Sequence, residues 1–175
     1  MHTRSTTTTT PAKPASARIR LRPHRPGDIG WVISRHGALY AKEFGWDISF
    51  EAMVARIGAQ FIEKFEPRLE RAWIAERNDE RIGAVFIVRK SNTTAQLRML
   101  LIEPEARGTG LGKRLVNQSI TFARAAGYRK ITLWTHDVLA AARSIYQSAG
   151  FKLVSSKPNQ AFGKSLNTEV WELKL

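Results

Sequence analysis

One stretch constrains this chain more than any other. Arg107-Gly108-Thr109-Gly110-Leu111-Gly112-Lys113-Arg114 sits between an apolar run ending at Ile102 and an amphipathic run continuing to Ala126. Glycines at 108, 110 and 112 allow backbone conformations that side chains resist and let a ligand approach the main chain closely. The run over residues 96–102 reads as a strand. Residues 110–126, with Leu115, Val116, Ile120 and Phe122 apolar, read as a helix stopped by Gly127. A strand–turn–helix of this kind leaves the first helical N–H groups without partners and places the positive end of the helix dipole at the turn. That is an anion site whose usual guest is phosphate. The competing reading is a glycine-rich turn with solvated charges.

Three phosphate motifs are candidates. A Walker loop would need a glycine at Arg107 and a hydroxyl at Arg114, so it fails twice. The dinucleotide fingerprint Gly-x-Gly-x-x-Gly ends on Lys113 or on Leu115, so it fails in both frames. Arg-x-x-Gly-x-Gly fits residues 107–112. That pattern resembles the pyrophosphate-binding motif of the GNAT superfamily of N-acetyltransferases. A second signature follows downstream, Ala142-Arg143-Ser144-Ile145-Tyr146-Gln147-Ser148-Ala149-Gly150-Phe151. It is similar to the superfamily's helix ending in Ala-x-x-x-Tyr-x-x-x-Gly-Phe. Residues 22–28, 35–40, 44–47, 72–76 and 128–135 also resemble the acetyltransferase half of proteins that fuse a MarR-type winged-helix regulator to a GNAT domain. That likeness covers about residues 20–175. The regulator half has no counterpart in this sequence, so its DNA binding is not implied.

The rest of the chain reads in the same order as such a fold. Residues 1–17, with five threonines in a row and Pro11 and Pro14, are expected to be a disordered low-complexity tail; residues 18–175 form one domain. Residues 17–22 alternate apolar and basic side chains, the pattern of an edge strand. Asp28 is the expected cap of a helix ending at Gly45, and Ser49 that of a second helix closed by Pro67. Strands follow over residues 72–76, 82–89 and 96–102, with turns at Asn78-Asp79 and Ser91-Asn92. After the glycine turn and its helix come a strand at 130–135, a helix at 139–148, and strands at 151–155 and 168–175. The expectation is an α/β (α+β) fold. A mixed central sheet of six to seven strands has helices on both faces, and the strands at 96–102 and 130–135 splay apart as a parallel pair.

The resemblance implies a reaction: direct attack of a primary amine on acetyl-CoA in a ternary complex, with acetyl-CoA as cosubstrate and no metal. It implies that main chain near Leu100 and Ile102 binds the pantetheine arm. Arg107, Gly108, Thr109, Gly110, Leu111, Gly112 and Lys113 would hold the pyrophosphate. Tyr146 occupies the superfamily's acid position, and a phenol with an ordinary pKa near 10 keeps its proton at neutral pH. The acid that many members carry on the strand before the turn has no counterpart, since that strand offers Arg98 and no acid before Glu103. The base is therefore open among Glu43, Asp47, His36 and His136. Leu139 also stands where many members have Asn. Trp31, His36, Tyr40, Trp46 and Phe162 are candidates for the acceptor pocket, with Glu43 and Asp47 attracting a cationic amine. Each aromatic taken singly reads more readily as core than as pocket.

Charge admits a rival. With 28 Lys+Arg against 15 Asp+Glu the net charge is +13. Residues 1–26 contribute six basic side chains and no acid, and residues 91–130 seven basic and two acidic. Such an excess suits an anionic partner. No helix shows the dense basic face of a nucleic-acid module, so CoA is the better partner. A CoA-binding module without catalysis is the second alternative. There is no cysteine, which excludes disulfides, thiolate metal sites and a cysteine nucleophile. No apolar window is long enough to span a membrane and no secretory signal is evident, so no membrane partner and a cytoplasmic location are expected. GNAT proteins often form homodimers, and nothing in these residues marks an interface.

Overall fold

Two sequence runs are too continuously apolar for a sheet with one wet face. They form β2 (Arg71–Arg77) and β3 (Glu80–Arg89), buried on both sides at the centre of the molecule. The computed structural model describes residues 18–175, and the tail expected over residues 1–17 lies outside the described residues. The other elements are β1 (Arg20–Pro23), α1 (Asp28–Phe44), α2 (Ile48–Lys64), β4 (Thr94–Ile102), α3 (Leu111–Ala125), β5 (Lys130–His136), α4 (Ala140–Ser148), β6 (Lys152–Ala161) and β7 (Lys164–Lys174). A 3-10 turn, Pro104–Ala106, links β4 to the glycine loop.

The seven strands form one sheet in the order β1-β2-β3-β4-β5-β7-β6. Helices α1 and α2 cover one face, where Val32, Val54 and Phe61 pack on Ile74, Ala84 and Phe86. On the other face α3 packs Leu111, Leu115 and Val116 against Val85, Ile87 and Ile131. The mixed sheet and two-sided helices are as the sequence implies. Only β4 and β5 are neighbouring parallel strands; β7 enters between β5 and β6 and pairs antiparallel with both. The β5–α4–β6 crossover therefore spans one strand rather than joining neighbours.

Local chemistry differs from expectation at three places. Gly27, left-handed at φ 92°, is the N-cap of α1, and Asp28 is the first helical residue. Asp28 is buried because Arg22 Nη1 donates to its carboxylate at 2.6 Å, while Arg22 Nε donates to Glu76 at 2.6 Å. The edge strand thus carries an internal ion triad. At α2 the cap is Asp47, whose Oδ1 accepts from the Ser49 amide at 2.9 Å. Residues 156–167 form a long hairpin turning on Phe162 and Gly163, which both have positive φ. The outer strand of that hairpin is almost wholly exposed, so its residues show no apolar alternation. Among the described residues no helix is long and apolar enough to cross a membrane.

Candidate functional site

The site begins with an interruption. β4 and β5 pair only over Thr94–Gln96 and Lys130–Thr132. Beyond that point β4 runs on to Ile102 and β5 to His136 without hydrogen bonds between them. Main-chain groups that face the gap are left for another partner, the arrangement an added strand or extended ligand uses. Met99 has φ 57°, and the β3–β4 register shifts there. This bulge exchanges the faces of the strand. Ala95 and Leu97 pack toward α3, Met99 packs toward α1 and α2, and Leu100 and Ile102 return to the α3 side.

Two cavities open from the gap. The larger, about 710 Å³, runs over Leu100, Ile102 and the glycine loop to α4. The other, about 320 Å³, lies under α1 and α2 and the β6–β7 turn. Both volumes fall in the range of small-molecule sites. Tyr40, Leu100, Leu139 and Ala142 line both, so the cavities meet where the strands part.

The glycine loop presents an unusual run of donors. Gly108 and Gly110 are left-handed at φ 74° and 81°. Arg107 donates its amide to Pro104, and Arg114 donates to Gly110 at 3.1 Å. Among the described residues, none of the amides from Gly108 to Lys113 donates to a protein carbonyl. Six consecutive N–H groups at a helix N-terminus with no side-chain cap form a cradle for an anion. Gly112 serves packing instead. A Cβ there would stand 2.5 Å from Ile145 Cδ1, so its absence lets α4 close on α3.

The side chains near the loop are less free than the charge count suggests. Arg107 donates to both carboxylate oxygens of Glu43, at 2.7 and 3.1 Å, across the mouth of the larger cavity. Thr109 turns its hydroxyl to the Ala106 carbonyl and does not line the cavity. Arg114 reaches back to the Ile19 carbonyl at 2.8 Å. Lys113 lines the cavity without an ion-pair partner among the described residues. Glu103, just before the loop, is buried and clamped by Arg35 at 2.6 and 2.8 Å. The free donors at this loop are therefore mainly backbone amides.

In the smaller cavity aromatic rings form a box. Tyr40 stacks on Phe50 at 4.7 Å, and Trp46 contacts Phe50, His136 and Phe162. Asp47 lies outside this lining. It caps α2 and ties its amide to the Phe162 carbonyl at 3.1 Å. Glu43 belongs to the other cavity, and Trp31 packs beneath Arg81 instead. The carboxylates expected to attract a cationic amine are thus absent from this cavity.

Tyr146 lines the smaller cavity from α4, with its ring buried and its hydroxyl free of hydrogen bonds to the described residues. Burial, and then the nearby Tyr40, raise its pKa. Burial pushes Tyr40 up to about 12. Both phenols stay protonated at neutral pH. His36 is buried, and its Nδ1 faces the Val32 carbonyl at 2.9 Å. A carbonyl only accepts, so Nδ1 carries the proton and Nε2 keeps its lone pair. Burial lowers the His36 pKa to about 4. Burial also lowers that of His136, opposed by Asp137.

The His36 shift has a stability consequence. The unfolded chain binds a proton at this residue below about pH 6.5 and the folded chain does not until about pH 4. Stability contributed by the neutral ring is present above pH 6.5 and is lost as pH falls toward 4. His36→Gln should flatten that fall by roughly 2 kcal/mol in urea titrations at pH 7 and pH 4.5. An unchanged difference between the two pH values would contradict the assignment.

Comparison with known proteins agrees with this geometry. The family model for the acetyltransferase (GNAT) family matches residues 37–151. Human N-acetyltransferase 8B is 35% identical over 95 residues, covering 51% of this chain and 40% of that protein. The chain spans well under half the length of that relative. An N-acetyltransferase of Schizosaccharomyces pombe is 30% identical over 115 residues, covering 65% of this chain and 70% of that one. Among solved structures, a GNAT-family acetyltransferase from Streptococcus pneumoniae superposes with TM-score 0.72 at 18% identity, covering 90% of this chain and 100% of that one. The yncA protein of Salmonella typhimurium, solved with its cofactor acetyl-CoA, gives TM-score 0.70 at 18% identity, covering 89% and 93%. At such identity the structures speak for the fold alone. The parted strand pair, the amide cradle after it and the matched sequence span agree: this chain belongs to the acetyltransferase (GNAT) family.

Proposed function

We propose that this protein is an acetyl-CoA-dependent N-acetyltransferase that acetylates a primary amine by direct attack. The observation that carries the reading is the junction of the two cavities at the parted strands, with the Tyr146 hydroxyl unengaged beside it. In this reading the amides of residues 108–113 and Lys113 hold the pyrophosphate, and unpaired main chain of β4 near Leu100 and Ile102 holds the pantetheine arm. Acetyl-CoA supplies an activated acyl group.

The amine occupies the smaller cavity as a neutral nucleophile. His36 Nε2 accepts a hydrogen bond from it, and water relays the lost proton outward, since no carboxylate lines this cavity among the described residues. Tyr146 gives its proton to the sulfur as the C–S bond breaks, its raised pKa keeps that proton available until then, and the proton relayed from the amine through water restores the phenol. A second reading, a CoA-binding module without turnover, leaves the free Tyr146 hydroxyl without a role. Mass spectrometry of amines incubated with acetyl-CoA and protein tests the choice: acetylated amine supports the enzyme, and bound CoA with no product supports the module.

The loop makes its own prediction. A β-branched residue at φ 81° is strained by about 1–3 kcal/mol, and nothing stands within 4 Å of a Cβ at Gly110. Gly110→Val should relax away from the donor geometry and raise the acetyl-CoA Kd about ten- to hundredfold by calorimetry. Unchanged affinity would remove the loop from the binding site.

A further inference from the structure

Arg98 is the guanidinium of the smaller cavity. It lies on β4 just before the Met99 bulge, on the face turned to α1 and α2, and lines that cavity. It is partly buried, yet among the described residues it makes no hydrogen bond and no ion pair, whereas Arg22, Arg35, Arg107 and Arg143 are each paired with a carboxylate. No Asp or Glu among the described residues lines the cavity. Burial lowers the Arg98 pKa, which still leaves a guanidinium charged at any physiological pH. A guanidinium that faces a cavity without a protein partner is free to receive a ligand, and its planar fork matches a carboxylate in two parallel hydrogen bonds.

We propose that the acceptor amine also carries a carboxylate, received by Arg98, with an apolar or aromatic body against Tyr40, Trp46, Phe50 and Phe162. This rests on the acetyltransferase reading and names its substrate class: α-amino acids or their apolar conjugates, not polyamines. The charge serves the chemistry as well. A guanidinium near the ammonium form of the acceptor lowers that group's pKa, which favours the neutral nucleophile. A polyamine would bring several positive charges into a cavity that already holds one and offers none of the opposite sign.

The test measures thiol release from acetyl-CoA with free α-amino acids, their amides and spermidine, using wild type, Arg98→Gln and Arg98→Lys. Calorimetry with the N-acetylated acids and their amides runs alongside in the presence of CoA. Wild type should favour acids over amides about ten- to hundredfold in kcat/KM, the range of charge-assisted hydrogen bonds. Arg98→Gln should raise KM for the acids by that factor while affecting the amides far less, leave acetyl-CoA affinity unchanged, and Arg98→Lys should recover part of the loss. Amides or spermidine used as well as acids, or a preference that survives in Arg98→Gln, would overturn the proposal while leaving the acetyltransferase standing. Arg98-dependent binding of N-acetylated acids without turnover would keep the carboxylate site at Arg98 and overturn the acetyltransferase. Neither turnover nor Arg98-dependent binding would overturn both.

Discussion

Tyr146→Phe should lower kcat about 10²–10⁴-fold, the usual worth of a positioned general acid, while changing acetyl-CoA affinity little. The substitution removes one oxygen that bonds to nothing else among the described residues. The ring's packing against Phe151, at 5.9 Å between centroids, is retained, so folding should be preserved. A thiolate leaving without a proton donor is the step that suffers. The loss should therefore be smaller for acetyl thioesters whose thiol is more acidic than that of CoA. Near-normal turnover would assign Tyr146 to packing. Loss of CoA affinity equal to the loss of rate would make it a binding residue.

Arg22→Leu should be strongly destabilising. Arg22 is buried between Asp28 and Glu76, and pairing shifts the pKa values of all three groups toward their charged forms, against the opposing effect of burial. Removing one member of a buried pair leaves the other charge uncompensated, at a cost of about 3–5 kcal/mol. The lower end is expected, because Arg20 still reaches Glu76 at 2.7 Å and Arg81 reaches Asp28 at 3.3 Å. In a chain of this size that corresponds to a Tm fall of roughly 6–15 °C. The sign with pH is fixed by the carboxylates. Their depressed folded pKa values contribute stability above the unfolded carboxylate pKa near 4 that is lost as pH falls further. The gap between wild type and variant should narrow on acidification below about pH 4 in thermal melts. A variant within about 1 kcal/mol of wild type at neutral pH would refute the triad's role.

These two residues illustrate how far the sequence can be read. Tyr146 is legible because it lies at a fixed offset from Gly150-Phe151 on a helix of evident period. The glycine loop is legible because three glycines between a strand and a helix leave few alternatives. Arg22 reads as one basic residue in an exposed edge strand, since its partners Asp28 and Glu76 come together only when β1 pairs with β2. Arg107 reads as a phosphate ligand, and its salt bridge to Glu43 joins positions 64 residues apart. Residues 156–167, between the two strands expected at 151–155 and 168–175, read as loop because the outer strand there is exposed and carries Pro158 where an edge tolerates it. The facing of Arg98, opposite Ala95 and Leu97, follows from alternation, whereas that of Met99 and Leu100 depends on the bulge, which apolar alternation does not announce.

The charge excess changes meaning in the same way. Asp28, Glu76, Glu43, Glu103 and Glu169 hold particular arginines in ion pairs, so the +13 excess lies on other basic side chains. What remains free near the two cavities is small and placed: Lys113 in one and Arg98 in the other.

The central claim is that the parted strands bring an acyl donor and an amine together. Thiol release from acetyl-CoA across a panel of amino acids, amino-acid amides, polyamines, aminoglycosides and a lysine peptide tests it most directly. Release well above the rate without acceptor is expected for at least one amine, matched by acetylated product and lowered about 10²–10⁴-fold in Tyr146→Phe. Tight acetyl-CoA binding with no amine-dependent release would contradict it.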